Sequence, residues 1–300
     1  MKTKQRLRFR SNAATASGCF RVVAVLGIGA LLGGLVESVP AAVPQPMVVY
    51  YGQARDEYGN PYRDGAEVIL RIGTNEVTRH AIDGAIAPGV NFVLYVPVDD
   101  GRSARPPYVP VAARLGDSVS IHVVDWRGEQ VVMENAVLPD VSNPGDLYPI
   151  RVTAGEDLDG DGLSDAWERE LIAALGDSAV TSIHDVQPRE DPDGDGQTNI
   201  DEYRAGTIPF LADDVFRAED LTRTANGRYR LRVLTSYGRV YQIKSAPPFL
   251  DGNQYDWQPC PYALSEEEEV RSRKVEGTGD WLSFYLETEE QALVWRLEIL

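Results

Sequence analysis

Between about residues 47 and 152, the chain is dominated by short runs in which apolar and polar residues alternate. In the clearest run, Val119, Ile121 and Val123 fall on one face of a strand and polar residues fall on the other. Gly, Pro, Asn and Asp separate this run from similar ones. Short strands divided in this way are typical of an antiparallel β-sandwich, which needs about 100 residues.

The same alternation returns after residue 213, most clearly in residues 228–234, 240–243 and 281–286. It predicts a second, smaller β-domain. The segment between the two strand-rich parts, from residue 156 to about residue 209, is the one whose pattern predicts helices. The predicted fold is therefore mostly β.

The first 42 residues have the three parts of a secretory signal peptide. Residues 1–21 are basic and free of acids, residues 22–36 form an apolar run, and Ala41 and Ala42 end a short exit of small residues. A spanning helix needs about 20 apolar residues, so this run is short for one. We expect cleavage after Ala41 or Ala42, and secretion to the medium, cell surface or periplasm. The alternative is a retained N-terminal anchor.

The charge of the chain narrows its possible partners. It has 29 basic and 46 acidic residues, and without residues 1–42 the net charge falls from −17 to −22. A chain with this negative charge repels phosphate groups, so we expect no nucleic-acid binding and no binding to anionic membranes. It offers many hard oxygen ligands for a divalent cation. Cys260 is the one cysteine after the signal peptide, which leaves no intramolecular disulfide to hold the fold.

Residues 157–168 match a twelve-residue calcium loop position by position. Carboxylates occupy the first, third, fifth, ninth and twelfth places, and glycine occupies the sixth. Ca²⁺ prefers about six to eight oxygen ligands, and a loop can supply them from alternate residues if it turns at a residue free to adopt positive φ, here Gly162. We predict ligation by the Leu163 carbonyl and by the side chains of Asp157, Asp159, Asp161, Asp165 (through water) and Glu168.

The pattern recurs in residues 191–202, and the two loops start 34 residues apart. Here the predicted ligands are the Gln197 carbonyl and the side chains of Asp191, Asp193, Asp195, Asn199 and Glu202. One match could arise by chance in an acidic chain, whereas two complete matches predict two bound Ca²⁺ ions. The alternative is a pair of acidic turns without metal.

Each loop is also expected to start a helix. Asp165 is predicted to cap a helix over residues 166–175 that stops at Gly176, and Asn199 to cap a shorter helix that ends at Gly206. The segments that precede the loops do not have a helical pattern, and no Met lies among the loops. A calmodulin-like opening of a Met-rich groove is therefore not expected, and the predicted role of calcium is structural.

These loops resemble dockerin and thrombospondin type 3 calcium repeats, whose usual pattern is D-x-D-G-D-G-x-x-D/N. With Tyr203, the Ala205-Gly206-Thr207 sequence and Pro209, they are similar to a module of bacterial secreted proteins in which a small β-domain follows. The resemblance covers about residues 155–300, and its calcium part is the specific one. It implies structural calcium and, for dockerins, binding to a cohesin, although the dockerin recognition residues cannot be matched here.

The sequence carries no pattern typical of an enzyme. His80, His122 and His184 are not accompanied by a zinc-protease, serine-hydrolase, nucleotide-binding or C-x-x-C motif. We expect them to be surface or hydrogen-bonded polar residues, and Cys260 to be a packed thiol. Several aromatic residues could form a carbohydrate platform, or could pack in the core and turns: Tyr50, Tyr51, Tyr58, Tyr62, Trp126 and Trp257.

Together these features predict a signal peptide (residues 1–42), an antiparallel β-sandwich-like domain (43–154), a short α-helical segment with two calcium loops (155–210) and a second sandwich-like β-domain (211–300). The predicted function is that of a secreted, non-catalytic modular protein in which two Ca²⁺ ions rigidify a spacer between β-domains, for adhesion or assembly with an extracellular protein or glycan. The alternatives are a dockerin-like module that binds a cohesin-like partner, or a carbohydrate-binding protein or hydrolase that uses the N-terminal domain.

Overall fold

Strands account for most of the regular structure in the computed structural model, which describes residues 46–99, 110–176, 179–247, 255–287 and 294–300. These residues include sixteen strands and two α-helices, so the prediction of a mostly β chain is confirmed. The predicted signal peptide lies outside the described residues. No helix among those residues is long and apolar enough to cross a membrane.

The first eight strands form two four-stranded sheets. Their order is β5-β4-β1-β8 in one sheet and β3-β2-β6-β7 in the other. The strands are β1 (Met47–Arg55), β2 (Glu67–Ile72), β3 (Asn75–Ala81), β4 (Phe92–Asp99), β5 (Ala113–Arg114), β6 (Ser120–Asp125), β7 (Gly128–Gln130) and β8 (Leu147–Thr153).

Strand direction in the first sheet differs from the expected antiparallel arrangement. β1 pairs with β4 in antiparallel fashion, but β8 runs parallel to β1, and β5 runs parallel to β4. A parallel neighbour needs a connection longer than a hairpin. β8 meets this condition, because strands β2 to β7 and a 3₁₀ helix (Met133–Val137) lie between it and β1 in the chain. Alternation shows which face of a strand is buried, but not the direction of its partner.

Both N-terminal sheets contribute to one hydrophobic core. Tyr50 of β1, Leu70 of β2 and Leu94 of β4 are fully buried in it. The alternation predicted for β6 is confirmed, because Val119, Ile121 and Val123 are buried or nearly so, while the residues between them are less buried.

Two α-helices follow, in what we call the loop–helix segment (residues 155–210). Helix α1 (Asp165–Leu175) ends at Gly176 and helix α2 (Asn199–Ala205) ends at Gly206, as predicted. Both glycines adopt the left-handed conformation, with φ of 57° and 72°. The N-cap predictions were one residue too late, because the caps are Ser164 and Thr198.

The last eight strands form two further sheets, and all the pairings between these described strands are antiparallel. One has the order β13-β15-β10-β9, and in the other β11 pairs with β12, β14 and β16. The strands are β9 (Ala218–Arg223), β10 (Tyr229–Leu234), β11 (Val240–Ala246), β12 (Gln258–Pro259), β13 (Tyr262–Ala263), β14 (Val275–Glu276), β15 (Trp281–Leu286) and β16 (Val294–Ile299).

Separate hydrophobic clusters form in the N-terminal strands, the loop–helix segment and the C-terminal strands. The strand regions also contact each other directly. Arg55 Nη2 donates to the Leu300 carbonyl over 3.2 Å, and the Arg63 guanidinium lies 3.4 Å from the centre of the Tyr237 ring. The described residues from Pro46 onward therefore pack as one unit, and the domain boundaries near residues 154 and 210 stay predictions.

Candidate metal centre

The first loop wraps its backbone around the side chain of Asp157. That carboxylate accepts hydrogen bonds from the backbone N–H groups of Gly160, Asp161 and Gly162 at 2.8, 3.2 and 3.1 Å. The loop can turn so tightly because Gly160 and Gly162 have φ of 74° and 95°, a region that residues with a Cβ rarely adopt. The positive φ predicted for Gly162 is confirmed.

This conformation brings three carboxylates together. Asp157, Asp159 and Asp161 each offer an oxygen atom, and these atoms all lie within 4.8 Å of one another. Like charges at that separation repel unless a cation lies among them. The loop therefore provides a cluster of hard oxygen donors of the kind that divalent cations bind.

The second loop repeats the conformation of the first. Asp191 accepts from the N–H groups of Gly194 and Gly196 at 2.8 and 2.9 Å, and its carboxylate lies within 4.8 Å of those of Asp193 and Asp195. The N–H of Gln197 donates to Asp195 at 2.7 Å, as that of Leu163 donates to Asp161 at 2.9 Å. Two stretches of different sequence thus form the same kind of acidic loop.

The twelfth residue of each loop is a fully buried glutamate. Both side-chain oxygens of Glu168 and one of Glu202 have no hydrogen-bond partner among the described residues. Burial, followed by repulsion from Asp159 and Asp161, raises the pKa of Glu168 to about 8. Burial and repulsion from Asp193 and Asp195 raise the pKa of Glu202 to about 8 as well.

The surroundings of these two glutamates are suited to a bound cation. A buried carboxylate without a hydrogen-bond donor is costly. Helix α1 holds Glu168 in this position through the hydrogen bond from its N–H to the Ser164 carbonyl (3.0 Å), and α2 holds Glu202 through the equivalent bond to Thr198 (2.9 Å). A cation among the three aspartates would give the unpartnered oxygens a partner, so the residues present fit one.

The ninth residue of each loop is buried and hydrogen-bonded within the chain. Asp165 accepts from the Leu158 N–H at 2.9 Å and from Arg169 at 2.7 Å. Asn199 donates to the Gln187 carbonyl at 2.8 Å, while its Oδ1 atom has no partner among the described residues. Asp165 was predicted to cap α1, but one of its oxygens is used by the loop and the other by Arg169 one turn along the helix, and Ser164 caps the helix instead. Ligation by the Leu163 and Gln197 carbonyls stays a prediction.

The two loop–helix units share one small core. Trp167 and Leu171 of α1 are buried with Leu163, Val186 and Tyr203. The Trp167 and Tyr203 rings meet edge to face, with centroids 5.7 Å apart. The large apolar residues of α1 are therefore used inside the segment and are not displayed on its surface.

Long-range contacts that the sequence analysis did not predict join this segment to the rest of the chain. The carbonyl of Glu57 accepts hydrogen bonds from the Ser164 hydroxyl and from the Tyr203 hydroxyl, the latter at 3.3 Å. The buried guanidinium of Arg239 donates to the carbonyls of Gly59 and Tyr203. The first three of these contacts join partners more than 100 residues apart, which leave no local pattern that could have predicted them.

The three histidines and the cysteine form no common cluster in the structure. His122 Nδ1 lies 2.7 Å from Glu129, and His184 Nδ1 lies 3.5 Å from Asp159 of the first loop. Cys260 is buried, and burial raises the pKa of its thiol, as expected of a packed residue. Its surroundings therefore do not favour the thiolate that nucleophilic catalysis requires.

The aromatic residues considered as a carbohydrate platform have very different surroundings. Tyr50 is fully buried in the N-terminal core, and the hydroxyl of Tyr62 donates to Asp125 over 2.9 Å. Trp126, in contrast, is 87% exposed at the turn between β6 and β7. Tyr50 and Trp126 therefore cannot belong to one exposed surface.

The chain matches no protein-family model, no curated protein and no solved structure.

Proposed function

We propose that the two loops bind one Ca²⁺ ion each and that the ions stabilise the join between the two strand-rich parts of a secreted, non-catalytic protein. The observation that supports this best is the pair of fully buried glutamates, Glu168 and Glu202, which have unpartnered oxygens and are each repelled by the three clustered aspartates of their own loop. A carboxylate in such a place stabilises the folded chain only when a cation binds it.

Calcium is the cation that suits this set of donors. All the predicted ligands are oxygen atoms, which disfavours zinc and copper. Each loop ends in a glutamate that can bind through both oxygens, whereas Mg²⁺ usually keeps several waters and takes one or two carboxylates. The resemblance to dockerin and thrombospondin type 3 repeats points to the same ion.

The charge balance explains why the ion would matter for folding. Two Ca²⁺ ions would neutralise about four of the nine carboxylate charges among the predicted ligands. Because an ion that binds only the folded state stabilises it by mass action, dissociation constants of about 10⁻⁴ to 10⁻³ M would suffice at extracellular calcium concentrations. The ordered loops would in turn hold Ser164 and Tyr203 against the Glu57 carbonyl.

Calorimetric titration of Ca²⁺ into the metal-stripped chain tests the proposal. We expect two sites in the parent and loss of both in a Glu168→Ala, Glu202→Ala double variant. A Glu170→Ala, Asp201→Ala variant is the matched control, because both residues are acidic, exposed and on the same two helices. Equal binding by all three proteins would refute the assignment.

Limited proteolysis tests the structural role of the ions. Cleavage between residues 156 and 206 should be slow with calcium and fast with a chelator. If the cleavage rates were equal, the ions would not be holding the segment together.

A dockerin-like docking role is the alternative, and a specific surface feature favours it. Ile208, Phe210 and Leu211 follow α2 and are each 40–46% exposed, so they could contact a partner. Calcium-dependent capture of one cohesin-like protein from the source's envelope fraction, lost in a Phe210→Asp variant, would support this role. A glycan array with no hits would count against a carbohydrate-binding role.

A further inference from the structure

A cavity of about 260 Å³ lies where the N-terminal strands, the loop–helix segment and the start of β11 meet. We call it the junction cavity. Four arginines line it: Arg55, Arg151, Arg204 and Arg239. They come from β1, β8, α2 and the residue before β11, so the fold gathers them from distant parts of the chain.

These arginines carry positive charge that the acidic chain does not neutralise by ion pairing. Arginines elsewhere form close ion pairs, such as Arg71 with Glu129 and Arg79 with Glu67. None of the four forms an ion pair within the part of the chain that the structure describes. In a chain with a net charge of −17, such a concentration of unpaired cations is a specific feature of this cavity.

Two acidic residues also line the cavity, and other groups already use both of them. Glu134 accepts from the N–H and the hydroxyl of Thr153, each at 2.7 Å. Asp157 accepts the three backbone N–H groups of the first loop and is a predicted calcium ligand. The arginines therefore outnumber the acids, and neither acid pairs with them.

The guanidinium groups keep donors available for a ligand. Arg239 donates from Nη1 and Nη2 to three backbone carbonyls, and Arg55 uses its Nε and Nη2 atoms on Gln53 and Leu300. Arg151 and Arg204 are exposed and have no hydrogen-bond acceptor among the described residues. Burial, with repulsion from Arg239 and Arg151, lowers the pKa of Arg55 to about 10, which indicates that these charges are close enough to repel each other.

We propose that the junction cavity binds a multivalent oxyanion group, held by Arg151 and Arg204 in the field of Arg55 and Arg239. Guanidinium groups match carboxylate, sulfate and phosphate oxygens by paired, charge-assisted hydrogen bonds. A neighbouring cavity of about 380 Å³ shares Arg55 and Arg151 and adds Lys274. The site therefore has room and charge for a ligand that carries more than one anionic group.

The first experiment is calorimetric titration of the calcium-loaded full chain with sodium sulfate and, separately, with sodium malonate, each against sodium chloride of equal ionic strength. The test variant is Arg151→Gln, Arg204→Gln. The control is Arg114→Gln, Arg217→Gln, which removes the same charge from exposed arginines outside the cavity. We expect binding that the test variant weakens about tenfold or more and the control leaves unchanged.

A second measurement needs no variant and so does not depend on how a variant folds. Phenylglyoxal modifies accessible arginines, and mass spectrometry can follow each site in the parent protein. Sulfate or malonate should slow modification of Arg151 and Arg204 but not of Arg114 and Arg217. Protection by malonate alone would identify a carboxylate ligand, and protection by sulfate alone would identify a sulfate- or phosphate-bearing one. No site-selective protection by either anion, or equal loss of binding in both variants, would overturn the proposal.

Discussion

The guanidinium of Arg239 lies 3.1 Å from the backbone carbonyl of Tyr203, the residue that follows the closing glutamate of the second loop. The same side chain donates to the carbonyls of Tyr58, at 3.2 Å, and Gly59. Arg239 is only 1% exposed, and its counterparts are carbonyls, not acids. One side chain from the C-terminal strand region thus joins the N-terminal strands and the loop–helix segment.

Replacing Arg239 with methionine should destabilise the calcium-loaded chain by about 2–4 kcal/mol, because the change removes the donor from two buried carbonyls (Gly59 and Tyr203) and from the part-buried carbonyl of Tyr58. Urea unfolding followed by tryptophan fluorescence would measure it. Arg217→Met is the control, since that residue is exposed and forms no hydrogen bond or ion pair with the residues that the structure describes. A similar, small loss in both variants would show that the contacts of Arg239 contribute little.

The two N-cap hydroxyls should differ in their importance. Ser164 accepts from the Trp167 N–H and donates to the Glu57 carbonyl, whereas Thr198 donates only to Asp201 on the surface. We therefore expect Ser164→Ala to lower the free energy of unfolding by about 1–2 kcal/mol and Thr198→Ala to lower it by less than about 0.5 kcal/mol. Chemical denaturation at saturating calcium would compare them. Equal losses would contradict the role given to the Glu57 contact.

The stability of the metal-free chain should fall as the pH rises from 5 to 8. The pKa of Glu168 and that of Glu202 are each about 8 in the folded chain, against an ordinary value of 4.5. Between those values the folded state binds more protons than the unfolded state, so raising the pH favours unfolding. Urea unfolding of metal-stripped protein at pH 5, 6.5 and 8 would measure this trend.

Two comparisons make the pH prediction specific. A Glu168→Gln, Glu202→Gln variant should lose most of the dependence, which separates these carboxyls from other groups that titrate in the same range. Saturating calcium should abolish or reverse it, because the ion binds the charged form of the glutamates. A metal-free parent whose stability stays constant or increases from pH 5 to 8 would contradict the prediction.

Alanine at Gly162 should weaken calcium binding at the first loop by about tenfold. The residue has φ of 95°, and a Cβ there costs about 1–2 kcal/mol. A metal-free loop can relax to relieve that strain. Calcium binding would have to bring the strained backbone conformation back, and the cost of doing so would lower the affinity. Gly65→Ala is the control, because Gly65 also has positive φ (68°) but lies outside both loops with open space around its Cβ position. Calorimetry would decide, and unchanged affinity in Gly162→Ala would contradict the prediction.

What the sequence could predict is what depends on residues close together in the chain. The two acidic loops, the left-handed glycines and the helix ends at Gly176 and Gly206 follow from local spacing, and the structure has them. The N-cap error at Asp165 has a local cause as well. Aspartate and serine both cap helices, so the sequence does not distinguish Asp165 from Ser164. The structure does, because the Asp165 carboxylate accepts the hydrogen bond from the Leu158 N–H.

The rest could not be predicted because it depends on residues far apart in sequence. The parallel pairing of β8 with β1 joins strands that are separated by all the other N-terminal strands. The contacts of Arg239 with Tyr58 and Gly59, and the four arginines of the junction cavity, likewise depend on how distant elements meet. Each arginine, considered alone in the sequence, resembles an ordinary surface residue.

The bond between Arg239 and the Gly59 carbonyl spans 180 residues of chain, and this has a consequence for the order of folding. Contacts of such length form late, because the intervening chain must first lose its freedom. During synthesis the N-terminal sheets and the loops emerge well before residue 239. For a time they must therefore exist without the hydrogen bonds that Arg239 donates. The completed chain should therefore acquire full resistance to unfolding in a last, slow step, after both loops have formed.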